Sequence, residues 1–189
     1  MKKEHVKKIV VPIIVLCLIG AVWLIKDMGK NDLSSPDNSS NDIETTNSKQ
    51  TDNNPDFELH VTEEIDLEKL KSYGLPIIID FGADTCAPCR RMAPIIKELN
   101  ESLRGRAIIK YVDVANYGSL AQNYPVEVIP TQIFIDKTGE PFKPEDPLAM
   151  KMILYQNKNT NEHVLTAHKG YMDKIELLAA LKEMGLEDE

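Results

Sequence analysis

The chain has 189 residues, 42% of them hydrophobic, and a formal net charge of −8 at pH 7. That length holds one ordinary domain and an attachment, and its three cysteines are too few for a disulfide scaffold. The acidic balance argues against nucleic acid as a partner, and the uneven spread of apolar residues divides the chain into three regions.

Residues 1–26, MKKEHVKKIVVPIIVLCLIGAVWLIK, place Lys2, Lys3, Lys7 and Lys8 ahead of an uncharged run of 17 residues from Ile9 to Ile25. Such a run is just long enough to cross a bilayer as a helix. Lysines in front, with only Lys26 directly behind, favour a cytoplasmic N-terminus and a translocated remainder. A cleaved signal peptide competes with this reading. The run is long for an h-region, however, and no A-x-A-like site follows, so a transmembrane anchor is expected. Cys17 follows Leu16 where a lipidation site needs a small residue, and reads as an inert membrane residue. Residues 27–56 are dominated by Asn, Ser, Asp and Thr, with seven acids against two lysines. They are expected to be a disordered polar linker with a typical reach of roughly 30 Å.

Residues 57–189 carry 15 Lys+Arg against 22 Asp+Glu. Periodicity predicts a strand at 57–61, a helix at 66–72, a strand at 76–81, a helix from the CAPC segment to about 103, a strand at 107–112 and a short helix at 119–124. A strand at 131–135 with a turn at DKTG, a strand near 164–167 and a last helix opened by Asp173 follow. Glu176, three residues after Asp173, completes a capping-box-like start. The β-α-β-α-β part predicts parallel strands, the late pair an antiparallel hairpin, and together they make an α/β sandwich.

The stretch DTCAPCRRM places Cys86 and Cys89 directly after the apolar strand PIIIDF and at the start of a helix. Unpaired N–H groups and the positive helix end favour a thiolate there, so Cys86 is the expected nucleophile. Cys89, nearly one turn inward, is suited to resolve a mixed disulfide. Three plainer readings compete. A zinc site lacks a second CxxC, and His60, His163 and His168 are scattered at apparent strand ends. A structural disulfide across two residues constrains the unfolded chain very little. Inert thiols are out of place outside the cytoplasm, where they generally oxidise. Redox chemistry is the favoured reading.

FGADTCAPCRRMAP, with Pro94 five residues after Cys89, and YPVEVIPT resemble the two signatures of the thioredoxin superfamily over roughly residues 60–186. The resemblance implies a three-layer sandwich with a mixed central sheet flanked by helices, and needs no cofactor or metal. It implies a cis Ile129–Pro130 bond, with Pro130 positioning substrate against the redox pair. Asp80 matches the family's buried acid, which implies proton transfer to and from Cys89; between apolar neighbours an unpaired carboxylate also has a raised pKa. Its plainer reading is a strand-end aspartate in water. The sequence departs from the pattern at several positions. Thr85 stands at the family's tryptophan and Gly82 at its earlier aromatic, leaving Trp23 as the chain's only tryptophan. Tyr111 stands at the family's usual lysine, with Lys110 one position away on the opposite face. Arg90 and Arg91 suit thiolate stabilisation or the steering of an acidic partner, though exposed helix arginines are more often simply solvated.

An insertion of about 20 residues, at about 140–162, extends the usual short turn; Pro141, Pro144 and Pro147 make its start extended, and Asp146-Pro147 suits a short helix. It either shapes a substrate groove or packs over a sheet edge. The expected protein is a single-pass, cell-membrane thiol–disulfide oxidoreductase with its catalytic domain outside the cytoplasm. It is expected to reduce oxidised protein thiols and to draw electrons from a transmembrane thiol carrier of the kind serving cytochrome c maturation. An oxidase or isomerase of the same fold, and a non-catalytic binding module, are the alternatives.

Overall fold

The computed structural model describes residues 54–187. The expected anchor at 1–26 and residues 27–53 of the expected linker lie outside the described residues. Among the described residues, no helix is long and apolar enough to cross a membrane.

Helix α1 (Leu67–Lys71) begins at Asp66, whose carboxylate accepts the Lys69 N–H at 3.0 Å. It leads into β1 (Ile77–Gly82), every residue of which is buried. The long helix α2 (Ala87–Ser102) then returns the chain to β2 (Ile108–Asp113). After a single 3-10 turn at Gly118–Ala121 come β3 (Thr131–Ile135), β4 (Met152–Gln156), β5 (His163–Lys169) and α3 (Lys174–Glu183). The α3 start is the capping box that Asp173 and Glu176 foretell: each side chain accepts the other's backbone N–H.

The five strands form one mixed sheet in the order β2-β1-β3-β5-β4, with only the β1–β2 pair parallel. Side chains alternate across a strand, and β1 divides its residues accordingly. Ile77, Ile79 and Phe81 join Phe57, Leu70 and Ile108 in one apolar cluster beside α1. Ile78 joins Met92, Ile96, Leu99, Leu177 and Leu181 in the other, beneath α2 and α3. The result is the expected three-layer α/β sandwich.

Three expectations are corrected. The strand expected at 57–61 opens instead as a 3-10 turn (Pro55–Phe57), because the Asn54 side chain caps it and Pro55 suits its first position. Only a short parallel bridge, His60 to Tyr111, remains beside β2. The helix expected at 119–124 is the shorter turn Gly118–Ala121. The Asp146-Pro147 corner is one turn rather than a helix: the Asp146 carboxylate accepts the Leu148 and Ala149 N–H groups at 3.0 Å, and Lys151 then takes φ 54°. The rest of the insertion becomes β4, which pairs antiparallel with β5. Of the two roles considered for it, covering a sheet edge is the one its hydrogen bonding shows.

Candidate functional site

Strand β1 ends at the floor of the site. The turn that follows is held by the Cys86 N–H, which donates to Ala83 O at 3.0 Å. Cys86 is the N-cap of α2, with extended backbone at φ −88°, and Pro88 in the first turn favours the helical start. Cys86 and Cys89 form a disulfide with Cα atoms 5.2 Å apart. The Cys86 sulfur also accepts the Cys89 N–H at 3.3 Å, as a capping side chain does. Cys86 is half-buried, whereas Cys89 is 3% exposed beneath it. An attacking partner therefore reaches one sulfur and not the other.

A second loop faces this pair. The Ile129–Pro130 peptide is cis, and Ile129 O lies 3.6 Å from the Cys86 sulfur. The loop is tied at both ends. Thr131 Oγ1 donates to Val128 O at 2.6 Å, and the Gly170 N–H donates to Pro130 O at 2.8 Å.

Asp80 lies on the α2 side of β1, two positions before Gly82, and is 1% exposed. Burial raises its carboxyl to about 7, against a smaller downward pull from a hydrogen bond with Gln132. That bond runs from Gln132 Nε2 to Asp80 Oδ1 at 2.8 Å. Gln132 Oε1 in turn lies 3.0 Å from His168 Nδ1. Sheet register explains the alignment: Tyr111, Asp80, Gln132, His168 and Met152 are successive cross-strand partners, from β2 through to β4. One row of side chains crosses the whole sheet under α2 and α3. Gln132 and His168 are absent from the sequence-derived site, and His168, read there as a strand-end residue, is 4% exposed. The alternation within TQIFI and HVLTAHK hints at a shared face, but only the register brings the residues together.

Tyr111 fills the place beside the redox pair. A Cβ placed on Gly82 would lie 3.0 Å from a Tyr111 ring carbon and 3.3 Å from Cys89 Cβ, so glycine there makes room for both. Burial and the nearby Asp113, Asp80 and Asp84 carboxylates push the Tyr111 hydroxyl up to about 12. Lys110 points to the other face, where Nζ donates to Glu58 O at 2.6 Å. Arg90 donates to Asp84 O at 2.9 Å in the turn before Cys86, and Arg91 stacks 5.3 Å over the Tyr171 ring. Among the described residues, no three His, Cys, Asp or Glu side chains are placed to hold a metal ion. His60 packs edge-on against Tyr111, and His163 Nε2 lies 2.8 Å from Thr166 Oγ1.

A disulfide at a strand-to-helix corner, facing a cis-proline loop in a mixed sheet, is a thioredoxin-like arrangement. The family model described as Thioredoxin matches residues 58–160, and the chain belongs to the thioredoxin family. Among curated relatives it is similar to Thioredoxin H4 of Arabidopsis thaliana, 42% identical over 76 residues, 40% of this chain and 63% of that one. It is likewise 39% identical over 83 residues to a Thioredoxin H-type of Oryza sativa subsp. indica, 43% of this chain and 67% of that one. For several relatives the match spans only 38% to 63% of their length. A solved Trichomonas vaginalis thioredoxin overlays with a TM-score of 0.46 at 22% identity, over 68% of this chain and 97% of that one.

Proposed function

We propose that the protein is a membrane-tethered thiol–disulfide oxidoreductase that reduces disulfides of extracytoplasmic proteins. The observation that carries the chemistry is the asymmetric pair: Cys86 half-buried at the N-terminus of α2, and Cys89 at 3% exposure behind it. In the reduced protein, the Cys86 thiolate, favoured by the helix end, attacks a substrate disulfide and releases one substrate thiolate. Cys89 then passes its proton to the Asp80 carboxylate and attacks the Cys86 sulfur. The second substrate thiolate leaves, so the substrate gains two electrons and the Cys86–Cys89 disulfide forms. The Ile129–Pro130 loop positions the substrate beside Cys86. A transmembrane thiol carrier is the electron donor that regenerates the dithiol.

Tethering and the extracytoplasmic setting rest on residues 1–26 and their flanking lysines. The reducing direction rests on Ala87-Pro88, which offers neither histidine nor charge to over-stabilise the thiolate. Turnover of insulin disulfides with a dithiol tests the activity. Cys86→Ser is expected to abolish it, and Cys89→Ser to accumulate a mixed disulfide with substrate; equal alkylation rates of both thiols in the folded protein would contradict these roles. Equilibration with glutathione buffers tests the direction: a potential below about −200 mV supports a reductant, and one near −120 mV makes the protein an oxidant.

A further inference from the structure

The row beneath the redox pair contains more polar chemistry than the exchange reaction has yet used. Asp80, Gln132 and His168 are 1%, 0% and 4% exposed, and they lie side by side on β1, β3 and β5. The Gln132 amide nitrogen is committed twice, to Asp80 Oδ1 at 2.8 Å and to Met92 Sδ at 3.6 Å. Its oxygen is therefore left facing His168 Nδ1 at 3.0 Å. An amide oxygen only accepts, so this contact is a hydrogen bond when the imidazole carries a hydrogen on Nδ1. The Asp80 carboxylate and the Met92 sulfur, which only accept, hold the amide nitrogen from one side, and an Nδ1–H of His168 holds the amide oxygen from the other.

The insertion completes this arrangement. Met152 of β4 stands opposite His168, and without β4 the histidine would lie on the edge strand of the sheet. The charged groups around the row are few. Tyr111 on β2 feels the charges of Asp113, Asp80 and Asp84, while Cys89 and Met92 lie on α2 above. Glu176 of α3 and Lys151 ahead of β4 act on His168 in opposite directions, and a hydrogen bond to the Gly170 backbone favours the charged imidazole.

We propose that Gln132 and His168 are positioning residues for Asp80. His168 locks the Gln132 amide so that its Nε2, and not its Oε1, meets the carboxyl, and this sets how readily Asp80 takes the proton of Cys89. A donor at this point stabilises the carboxylate; a turned amide would present an acceptor and stabilise the carboxylic acid instead. The insertion thus acts on the redox pair from the far edge of the sheet, through one imidazole and one amide. The inference rests on the reading of Cys86 and Cys89 as an exchanging dithiol.

The test is a carboxyl ¹³C titration of Asp80 in the full-length chain, with ¹⁵N-labelled histidine in the same sample. In the wild type, neutral His168 is expected to carry its proton on Nδ1. His168→Leu and Gln132→Leu should each move the Asp80 midpoint upward by about one pH unit, the worth of one hydrogen bond to a charged group. His168→Gln, which keeps an N–H donor, should return it to within about 0.3 unit of wild type. A midpoint unmoved by His168→Leu, or one shifted equally by His168→Gln, would overturn the proposal. So would a neutral His168 protonated on Nε2, a wild-type observation that decides the matter even if the leucine variants fail to fold. Failure of wild-type insulin turnover would count against the exchange reaction alone and leave the Asp80 result standing.

Discussion

The two faces of β1 are equally buried and chemically unlike. Toward α1 the strand presents Ile77, Ile79 and Phe81, each 0% exposed and packed among other apolar side chains. Toward α2 it presents Ile78, then Asp80, then Gly82: an apolar anchor, a buried acid and a glycine packed closely by Tyr111 and Cys89, in the order in which the strand approaches Cys89. The first face holds the sheet to its neighbours. The second gives up packing, step by step, to make room for the redox pair. The same six residues therefore separate stability from chemistry by alternation alone.

The contrast is tested most severely on the apolar face. Phe81 is fully buried and its ring lies 4.9 Å from that of Tyr124, so Phe81→Ala removes a large side chain from a closed cluster. We expect a loss of about 3–5 kcal/mol in denaturant unfolding. A loss under about 1 kcal/mol would mean that this face is not the structural one.

On the other face the sign should reverse. The carboxyl of Asp80 titrates near 7 in the fold against an ordinary value of 3.8, because burial disfavours its charge. The folded state thus holds the proton more tightly than the unfolded state. The contribution of Asp80 is fully present below about pH 4 and is lost as pH rises through 7, by on the order of 4 kcal/mol in all. Asp80→Asn should escape that loss. Its gain should be largest near pH 8 and shrink towards zero below pH 4, while insulin turnover slows. Unfolding curves that stay parallel across this pH range would refute the assignment.

Gly82→Ala sits between these extremes. The added methyl would meet the Tyr111 ring at 3.0 Å and Cys89 Cβ at 3.3 Å, and neither neighbour is the free end of a flexible chain. Overpacking of this kind costs about 1–3 kcal/mol. Pairing the change with Tyr111→Ala should restore most of the loss, and a double mutant no better than the sum of the two singles would show that the ring is not what the methyl meets.

Much of this is legible in the sequence, for identifiable reasons. The run PIIIDF sets one acid among apolar neighbours, a pattern that favours a buried Asp80 over the plainer reading of a strand-end aspartate in water. The Cys86 N-cap and Asp173 capping box are local, and local signals survive folding. The contacts that the sequence hides are those set by register. Asp80 and Gln132 are 52 residues apart, and Gln132 and His168 are 36 apart, so no window of sequence joins them. The insertion reads as turn and helix because its prolines and Asp146 suggest them, while MILYQ is a short β-prone run whose pairing partner lies beyond the loop. The strand expected at 57–61 does not extend because Asn54 and Pro55 wind the chain into a 3-10 turn just ahead of it.

Lys110 sharpens the comparison at its weakest point, since it is the one charged side chain that β2 turns toward the apolar face. It is 6% exposed, and Nζ donates to Glu58 O at 2.6 Å and to Pro55 O at 3.5 Å, tying the 3-10 turn to the sheet. Lys110→Met trades those two bonds for relief from charge burial. Opposed effects of this kind largely cancel, so we expect a net loss of only about 1 kcal/mol at pH 7, with faster amide exchange confined to residues 57–61. The pH dependence carries the sign. Burial lowers the Lys110 pKa from its ordinary 10.5, so the folded state releases its proton first. Lys110 therefore adds to stability as pH rises toward 10.5, a contribution that the methionine variant lacks. The gap between them should widen at alkaline pH; a gap that closes there would show that the lysine is held by its charge and not by the two carbonyls.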